Sequence, residues 1–273
     1  MAKEMDLKVA RGFALGTRIR SIEVPEKLRH KIKTGVGFVD DALGGEGCTP
    51  TMTIMLTGEP GAGKSTLLRQ LAHSIHSSGN IALYNTGEES LFQAKMACER
   101  LFGDKLGDFQ VGEEVMLPKI LQHLDKLKAE ADKKNKQIFF LQDSMQTLDD
   151  GKYVTADGKS RGTTGKTPQH CTEAIVNWMQ DNFGVCFFIN QVTKGGQFIG
   201  NNTMMHAIDA HMHLYYDQKE KSETFGCLVL EVDKNRWGCN GKNLVLGMGD
   251  KGLFEKGSFF KPGFAPTNGA AEA

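Results

Sequence analysis

The residues with the plainest chemical meaning are Gly58-Glu59-Pro60-Gly61-Ala62-Gly63-Lys64-Ser65-Thr66, a glycine-rich run closing on a lysine and two hydroxyls. Glycines let a backbone close around phosphates, while successive N–H groups and a following helix N-terminus attract negative charge. Lys64 would reach the outer phosphates, and Ser65 with Thr66 would hold phosphate and magnesium. Such a run carries weight only between a strand and a helix. Both flanks are present. The apolar run Met52-Thr53-Ile54-Met55-Leu56-Thr57 precedes it, and Leu67, Leu68, Leu71, Ala72 and Ile75 follow at helical spacing until Ser78-Gly79.

A magnesium-bound nucleotide needs a further acid, and Asp143 stands at the end of the apolar run 138–142. Another run ends in Tyr84-Asn85-Thr86-Gly87-Glu88-Glu89-Ser90. Glu88 is read there as the carboxylate that aligns water for attack on the terminal phosphate. Glu89 is read equally well as a first-turn residue favoured by the helix dipole. A third run, Val185-Cys186-Phe187-Phe188-Ile189, closes on Asn190 and Gln191, and the Gln191 amide could sense a terminal phosphate and report its loss. His206, His211 and His213 lie near Asp209. Without cysteines or a carboxylate triad beside them they read as surface or interface residues rather than metal ligands.

The elements that must carry these residues alternate. Apolar runs at 51–57, 81–84, 138–142, 185–190, 208–215 and 225–232 are separated by helical patterns through Leu91, Ala94, Cys98 and Leu101, through Leu117, Ile120, Leu121, Leu124 and Leu127, and through Cys171, Ala174, Ile175, Trp178 and Met179. Pro168 and Gly184 bracket the last of these as a helix requires. The alternation predicts an α/β fold with a mainly parallel, twisted sheet covered by helices on both faces. Runs 225–232 and 243–246, separated by glycine-containing turns, predict an antiparallel C-terminal edge. Ligands bind such sheets at the carboxyl ends of parallel strands, where Asp143, Glu88 and Gln191 fall.

The 33 Lys and Arg balance 33 Asp and Glu in 273 residues, so any nucleic-acid surface must be local. Six cysteines with no C-x-x-C pair read as reduced thiols of an intracellular protein. No apolar stretch approaches a membrane span and residues 1–33 lack a signal-like apolar segment, so the expected location is cytoplasmic, in a host cell if the chain is phage-encoded. Residues 1–33 read as an arm, either a partly ordered tail or an oligomerisation arm docking Phe13 and Leu15 on a neighbouring subunit. Residues 34–256 read as the ATPase domain. Residues 257–273 lose periodicity, gain Pro, Gly and Ala, and read as a flexible tail.

Motifs along the chain also carry a family resemblance. Thr34-Gly35 with Phe38, Asp40 and Leu43-Gly44-Gly45, the loop Gly58 to Thr66, Thr86 to Ser90, Asp143-Ser144-Met145-Gln146-Thr147, Val192-Thr193-Lys194 with Gly196, Gly200, His206 with Asp209, and Lys234-Asn235-Arg236-Trp237-Gly238 occur in order. Over residues 33–255 the chain resembles the bacterial RadA/Sms branch of the RecA-like ATPases. The resemblance implies a RecA-like P-loop core that hydrolyses ATP with Mg2+, assembles as a hexameric ring or filament, binds single-stranded DNA and drives branch migration in recombination. In that family ATP lies between subunits, and Lys234 and Arg236 would be the cations a neighbour contributes.

The same resemblance implies DNA-facing loops after Asp143 and Gln191. The first, 149–167, holds Lys152, Lys159, Arg161 and Lys166, cations able to track phosphates. The second, 193–203, pairs Lys194 with Phe198, an aromatic able to stack on a base. The family's four-cysteine zinc element and protease-like C-terminal domain find no counterpart, so no zinc is expected, and Asn190-Gln191 replaces Gly-His in a manner closer to RecA itself. Those departures leave an alternative, a nucleotide-switched oligomeric scaffold or a strand-annealing or strand-exchange accessory without motor activity.

Overall fold

The computed structural model describes residues 13–152, 167–191, 202–238 and 240–260. Their strands form one sheet in the order β3-β2-β4-β5-β1-β6-β7-β8-β9. Strands β1 (Thr53–Gly58), β2 (Ile81–Thr86), β3 (Gln110–Gly112), β4 (Ile138–Asp143), β5 (Val185–Ile189) and β6 (Ala210–Tyr216) run parallel. Strands β7 (Leu228–Asn235), β8 (Lys242–Gly249) and β9 (Gly252–Phe260) complete it in antiparallel fashion. Every residue of β1, β2, β4 and β5 is buried, which is why these segments read as continuous apolar runs rather than alternating ones.

Side chains of successive strand residues point to opposite faces and so divide the core in two. Ile54 and Leu56 of β1 pack with Leu67, Leu68, Leu71 and Ile75 of helix α2 (Lys64–Ser77). Met55, between them, packs on the other face with α4 (Leu117–Lys134) and α5 (Thr167–Asn182). The short α1 (Gly37–Ala42) and α3 (Leu91–Phe102) lie on the α2 face, and α6 (Asn202–Ala207) lies on the other. Helix α3 starts at a reciprocal capping box between Ser90 and Gln93, and α4 ends at Asn135 in the left-handed region.

The α/β architecture and the antiparallel edge are as the sequence predicts, but several short or peripheral elements, α6 among them, escape the pattern. Helix α1 is a turn and a half long, and β3 is three residues, two of them exposed. Strand β9 runs through Phe260 and pairs with β8 from Gly249↔Gly252 to Lys242↔Phe260, so the flexible tail expected from residue 257 does not begin there. An outermost strand is held by backbone pairing and needs no apolar alternation, hence the missing signal. Gln70 of α2 braces this strand, its Nε2 donating to Leu253 O at 2.9 Å and its Oε1 accepting from Leu253 N at 2.8 Å. Residues 261–273 lie outside the described residues.

In the arm, Phe13, Leu15 and Ile19 are exposed, and Ile32 joins the body through an antiparallel bridge to Cys48. Cys48, Cys98, Cys171 and Cys186 are free and buried. Among the described residues no helix is long and apolar enough to cross a membrane.

Candidate nucleotide site

The site begins where β1 ends. Gly58 has φ 150°, and a Cβ there would stand 2.0 Å from Leu214 O on β6, so only glycine can open the loop against that strand. Gly63 (φ 98°) is the N-cap of α2 and offers no side-chain acceptor, which leaves the first-turn N–H groups of the helix directed at the loop. Lys64 Nζ donates to Gly58 O at 2.9 Å and Glu59 O at 2.8 Å. Burial lowers its proton affinity, and the carboxylates of Asp143, Glu88 and Glu59 oppose that shift.

Register brings the remaining groups to the same place. Strands β2 and β4 pair Thr86 with Asp143, and Gly87 N donates to Asp143 O at 2.8 Å. The Ser65 hydroxyl lies close enough to Asp143 to act on its carboxyl. Burial pushes the Asp143 carboxyl above its usual range, the Ser65 hydroxyl acts against that rise, and nearby Glu88 adds to it. Glu88 Oε1 accepts from Ser144 Oγ at 2.5 Å and from Gln191 Nε2 at 2.9 Å. Lys64, Ser65, Glu88, Asp143 and Gln191, chosen from sequence at the ends of separate runs, therefore form one cluster.

The two adjacent carboxylates have different surroundings. Glu89 pairs with the guanidinium of Arg69 and lies 3.2 Å from the Tyr84 hydroxyl, which is also 3.2 Å from Asp143 Oδ2. Arg69 is 6% exposed, and its guanidinium carbon lies 5.8 Å from the centroid of the Tyr84 ring. With Glu89 committed to this pair, Glu88 is the carboxylate facing Lys64 and the Gln191 amide. Arg69 and Tyr84 were missed from sequence. The available signal was a long cation three residues before Ala72 on the inward stripe of α2, a position where a charge must find a partner.

Lys234 and Arg236 lie elsewhere. Strand β6 pairs Gly58 with Leu214 but Ile54 with Ala210, and β7 sets Lys234 opposite His211 and Asn235 opposite Ala210. Both cations thus sit toward the end of the sheet opposite the phosphate loop of their own chain. Lys234 Nζ donates to Met205 O at 2.5 Å and Ile208 O at 2.7 Å, and Arg236 donates to Asp209 Oδ1 at 3.3 Å and His206 O at 2.5 Å. Burial lowers the proton affinity of Lys234, Arg236 adds to this, and Asp209 opposes it.

The histidine expectation needs correction. His211 is 2% exposed and His213 half-buried, and both face the Thr57 hydroxyl inside the sheet rather than lying on the surface. Their partners come from β1 and β7, more than twenty residues away in sequence, which is why a local reading misplaced them.

Lys152 is exposed at the foot of the first expected DNA loop, 3.9 Å from Asp150 Oδ2. Lys159, Arg161, Lys166, Lys194 and Phe198 lie outside the described residues. Gln146 and Asn190, which precede the two loops in sequence, are joined by a hydrogen bond that Gln146 donates to the Asn190 side chain.

Residues 32–245 match the family described as "ATPase: KaiC". The chain belongs to this family. Its relatives include the DNA repair protein RadA of Aquifex aeolicus (strain VF5), 32% identical over 252 residues that cover 89% of this chain and 51% of that protein. RadA of Bacillus subtilis (strain 168) is 29% identical over 237 residues, covering 87% and 47%. RadA of Rickettsia conorii is 32% identical over 232 residues, covering 85% and 48%. The chain spans about half the length of these curated relatives.

As a member of the KaiC ATPase family with a RadA-like core, the chain binds nucleotide through a P-loop. The loop fits that ligand, because an uncapped helix N-terminus and a lysine ringed by carboxylates lie at the end of one strand. The backbone of Gly58, Glu59, Pro60, Gly61, Ala62 and Gly63, with Lys64, Ser65 and Thr66, would hold the phosphates.

Proposed function

We propose that this KaiC-family chain is a magnesium-dependent ATPase that acts on single-stranded DNA as a homo-oligomer, in recombination and, as the name of its RadA relatives suggests, in DNA repair. The observation that carries the reading is the separation of two functional groups along the sheet. Lys64, Ser65, Asp143, Glu88 and Gln191 gather at one end, while Lys234 and Arg236 lie toward the other. Cations so placed cannot serve their own phosphates but suit those of an adjoining subunit in a hexameric ring or filament. The exposed Phe13 and Leu15 of the arm (residues 1–33) suit docking on that neighbour.

In this mechanism Lys64 and the loop N–H groups hold the phosphates, and Ser65 and Asp143 hold the metal. Magnesium, when bound, neutralises charge on the outer phosphates. Glu88, steadied by Ser144 and Gln191, takes a proton from the attacking water or orients it. Lys234 and Arg236 of a neighbour offset charge on the transferring group. Gln191 leads directly into the segment bearing Lys194 and Phe198, and Asp143 precedes the one bearing Lys152, Lys159, Arg161 and Lys166, so a change of partner at either residue can alter the grip on DNA. The reading places the protein in the cytoplasm, a host's if phage-encoded.

The test is ATP hydrolysis by wild type and Lys64→Ala, with and without single-stranded DNA, at low and moderate salt, since phosphate contacts weaken steeply as salt rises. Stimulation by DNA that disappears in the variant supports the reading. Lys64-dependent hydrolysis indifferent to DNA at low salt would overturn the DNA-directed part and leave a nucleotide-switched scaffold.

A further inference from the structure

The two histidines of β6 take no part in the reaction outlined above, yet they lie at the root of the phosphate loop. Thr57, fully buried, is the last residue before Gly58. Its hydroxyl oxygen is 2.7 Å from His211 Nε2 and 2.8 Å from His213 Nδ1. On the far side, Asp233 Oδ2 of β7 is 3.3 Å from His211 Nδ1. Four side chains from three adjacent strands therefore stand in file.

The file has a direction. A hydroxyl has one proton to give, so between neutral rings one of the nitrogens facing Thr57 accepts and the other carries hydrogen and donates. Asp233 decides which. Its carboxylate favours a proton on His211 Nδ1, leaving Nε2 of the neutral ring to accept from Thr57. His213 must then donate its Nδ1–H to the threonine oxygen. The hydrogen-bond order is His213 to Thr57 to His211, with the Asp233 carboxylate at ion-pair distance from the far nitrogen of His211. The first ring is also fixed in plane by stacking on Tyr215, with centroids 5.2 Å apart. His213 lies within electrostatic reach of Glu59 and Lys64, so the file ends beside the groups that shape the loop.

A second contact acts at the same spot. The close approach of Gly58 to Leu214 O presses the first loop residue on β6 one position beyond Thr57. The backbone contact sets how near the strands come, and the file sets how Thr57 is turned about its own axis. From there the chain leaves β1 with the Gly58 and Glu59 carbonyls directed at Lys64 Nζ. We infer that Thr57, His211 and His213 are positioning residues for the phosphate loop, their directed hydrogen bonds fixing the angle at which Gly58 and Glu59 leave β1 and so the geometry offered to the nucleotide phosphates. None of them touches the reacting atoms. The ligand served is the polyphosphate of a nucleoside di- or triphosphate, and the effect falls mainly on its binding.

The experiment compares Thr57→Val, which keeps the shape and deletes the hydroxyl, with Thr57→Ser, which restores it. Loss of the link should raise KM for ATP, and Kd for ADP by calorimetry, about ten-fold, while Thr57→Ser stays within about two-fold of wild type. His213→Gln alters the half-buried end of the file, should shift the same constants in the same direction, and replaces Thr57→Val if that variant does not fold. Nitrogen-15 spectra of the wild type give a readout independent of turnover, with both rings expected as Nδ1–H tautomers. Unchanged nucleotide affinity in the folded variants would overturn the inference. So would an Nε2–H tautomer at His211, or a serine variant as impaired as the valine one.

Discussion

Replacing Arg69 by methionine preserves much of the side chain's apolar bulk and deletes its charge. In the folded protein this leaves Glu89 beside Tyr84 and Asp143 without its cation, and a tyrosine hydroxyl has a single proton to share between the two acids. Removing one partner from a buried pair costs about 3–5 kcal/mol. The Glu89 side chain keeps 23% of its surface exposed, which puts the expected loss at the lower end, about 3 kcal/mol. For a chain of this size that corresponds to a fall in Tm of roughly 6–12 °C. Substituting Glu89→Gln in the same chain removes the orphaned charge, so the double variant should regain most of the loss, with a coupling energy of about 2 kcal/mol. Urea titrations of wild type, both single variants and the double variant at neutral pH close the cycle. Additive losses, or an Arg69→Met cost below about 1 kcal/mol, would mean that packing alone holds the arginine and would refute the argument.

The division of labour between the two carboxylates makes a kinetic prediction. Glu88→Gln keeps the shape and the contacts to Ser144 and Gln191 within reach but cannot take a proton, so single-turnover hydrolysis should be abolished while nucleotide affinity stays within a few-fold of wild type. Hydrolysis at the wild-type rate would return the role to another group. A pH prediction rests on His73, whose Nδ1 accepts from Gly107 N at 3.1 Å and whose ring stacks on Phe102 with centroids 4.1 Å apart. Burial, then His76, hold its proton affinity below the ordinary range, so on acidification the unfolded chain takes up this proton first. The stabilisation is complete above about pH 6.5 and fades as pH falls through the lower folded value. The urea midpoint of wild type should therefore drop more steeply below about pH 6.5 than that of His73→Phe, and parallel curves would dispose of the idea.

Much of the site was legible because of where polar residues can stand in a doubly covered parallel sheet. Strands β1, β2, β4 and β5 are buried along their length and carry no charge before their last residue, so Asp143, Glu88 and Gln191 mark their ends, and the ends of such strands share one rim. Glu88 was chosen from sequence, but the commitment of Glu89 to a cation was not legible, since it depends on Arg69, twenty residues earlier on another element. His211 was misplaced for a similar reason, as its neighbour Thr57 stands 154 residues away in the chain. Strand β9 was hidden because backbone pairing, with Phe254 and Phe259 left exposed, imposes no pattern on its side chains.

The brace between Gln70 and Leu253 gives the phosphate helix a mechanical reach beyond its own length. An amide side chain that both donates to and accepts from one strand residue behaves as a short extra strand, and it fastens α2 to the outermost strand of the sheet. At its other end the loop that feeds this helix has no slack, because Gly58 already bears on the Leu214 carbonyl. Any rotation of α2 that accompanies hydrolysis is therefore geared outward rather than absorbed at the loop. The β8–β9 rim is the part of the molecule that would turn with it, much as the far arm of a crank follows its pivot.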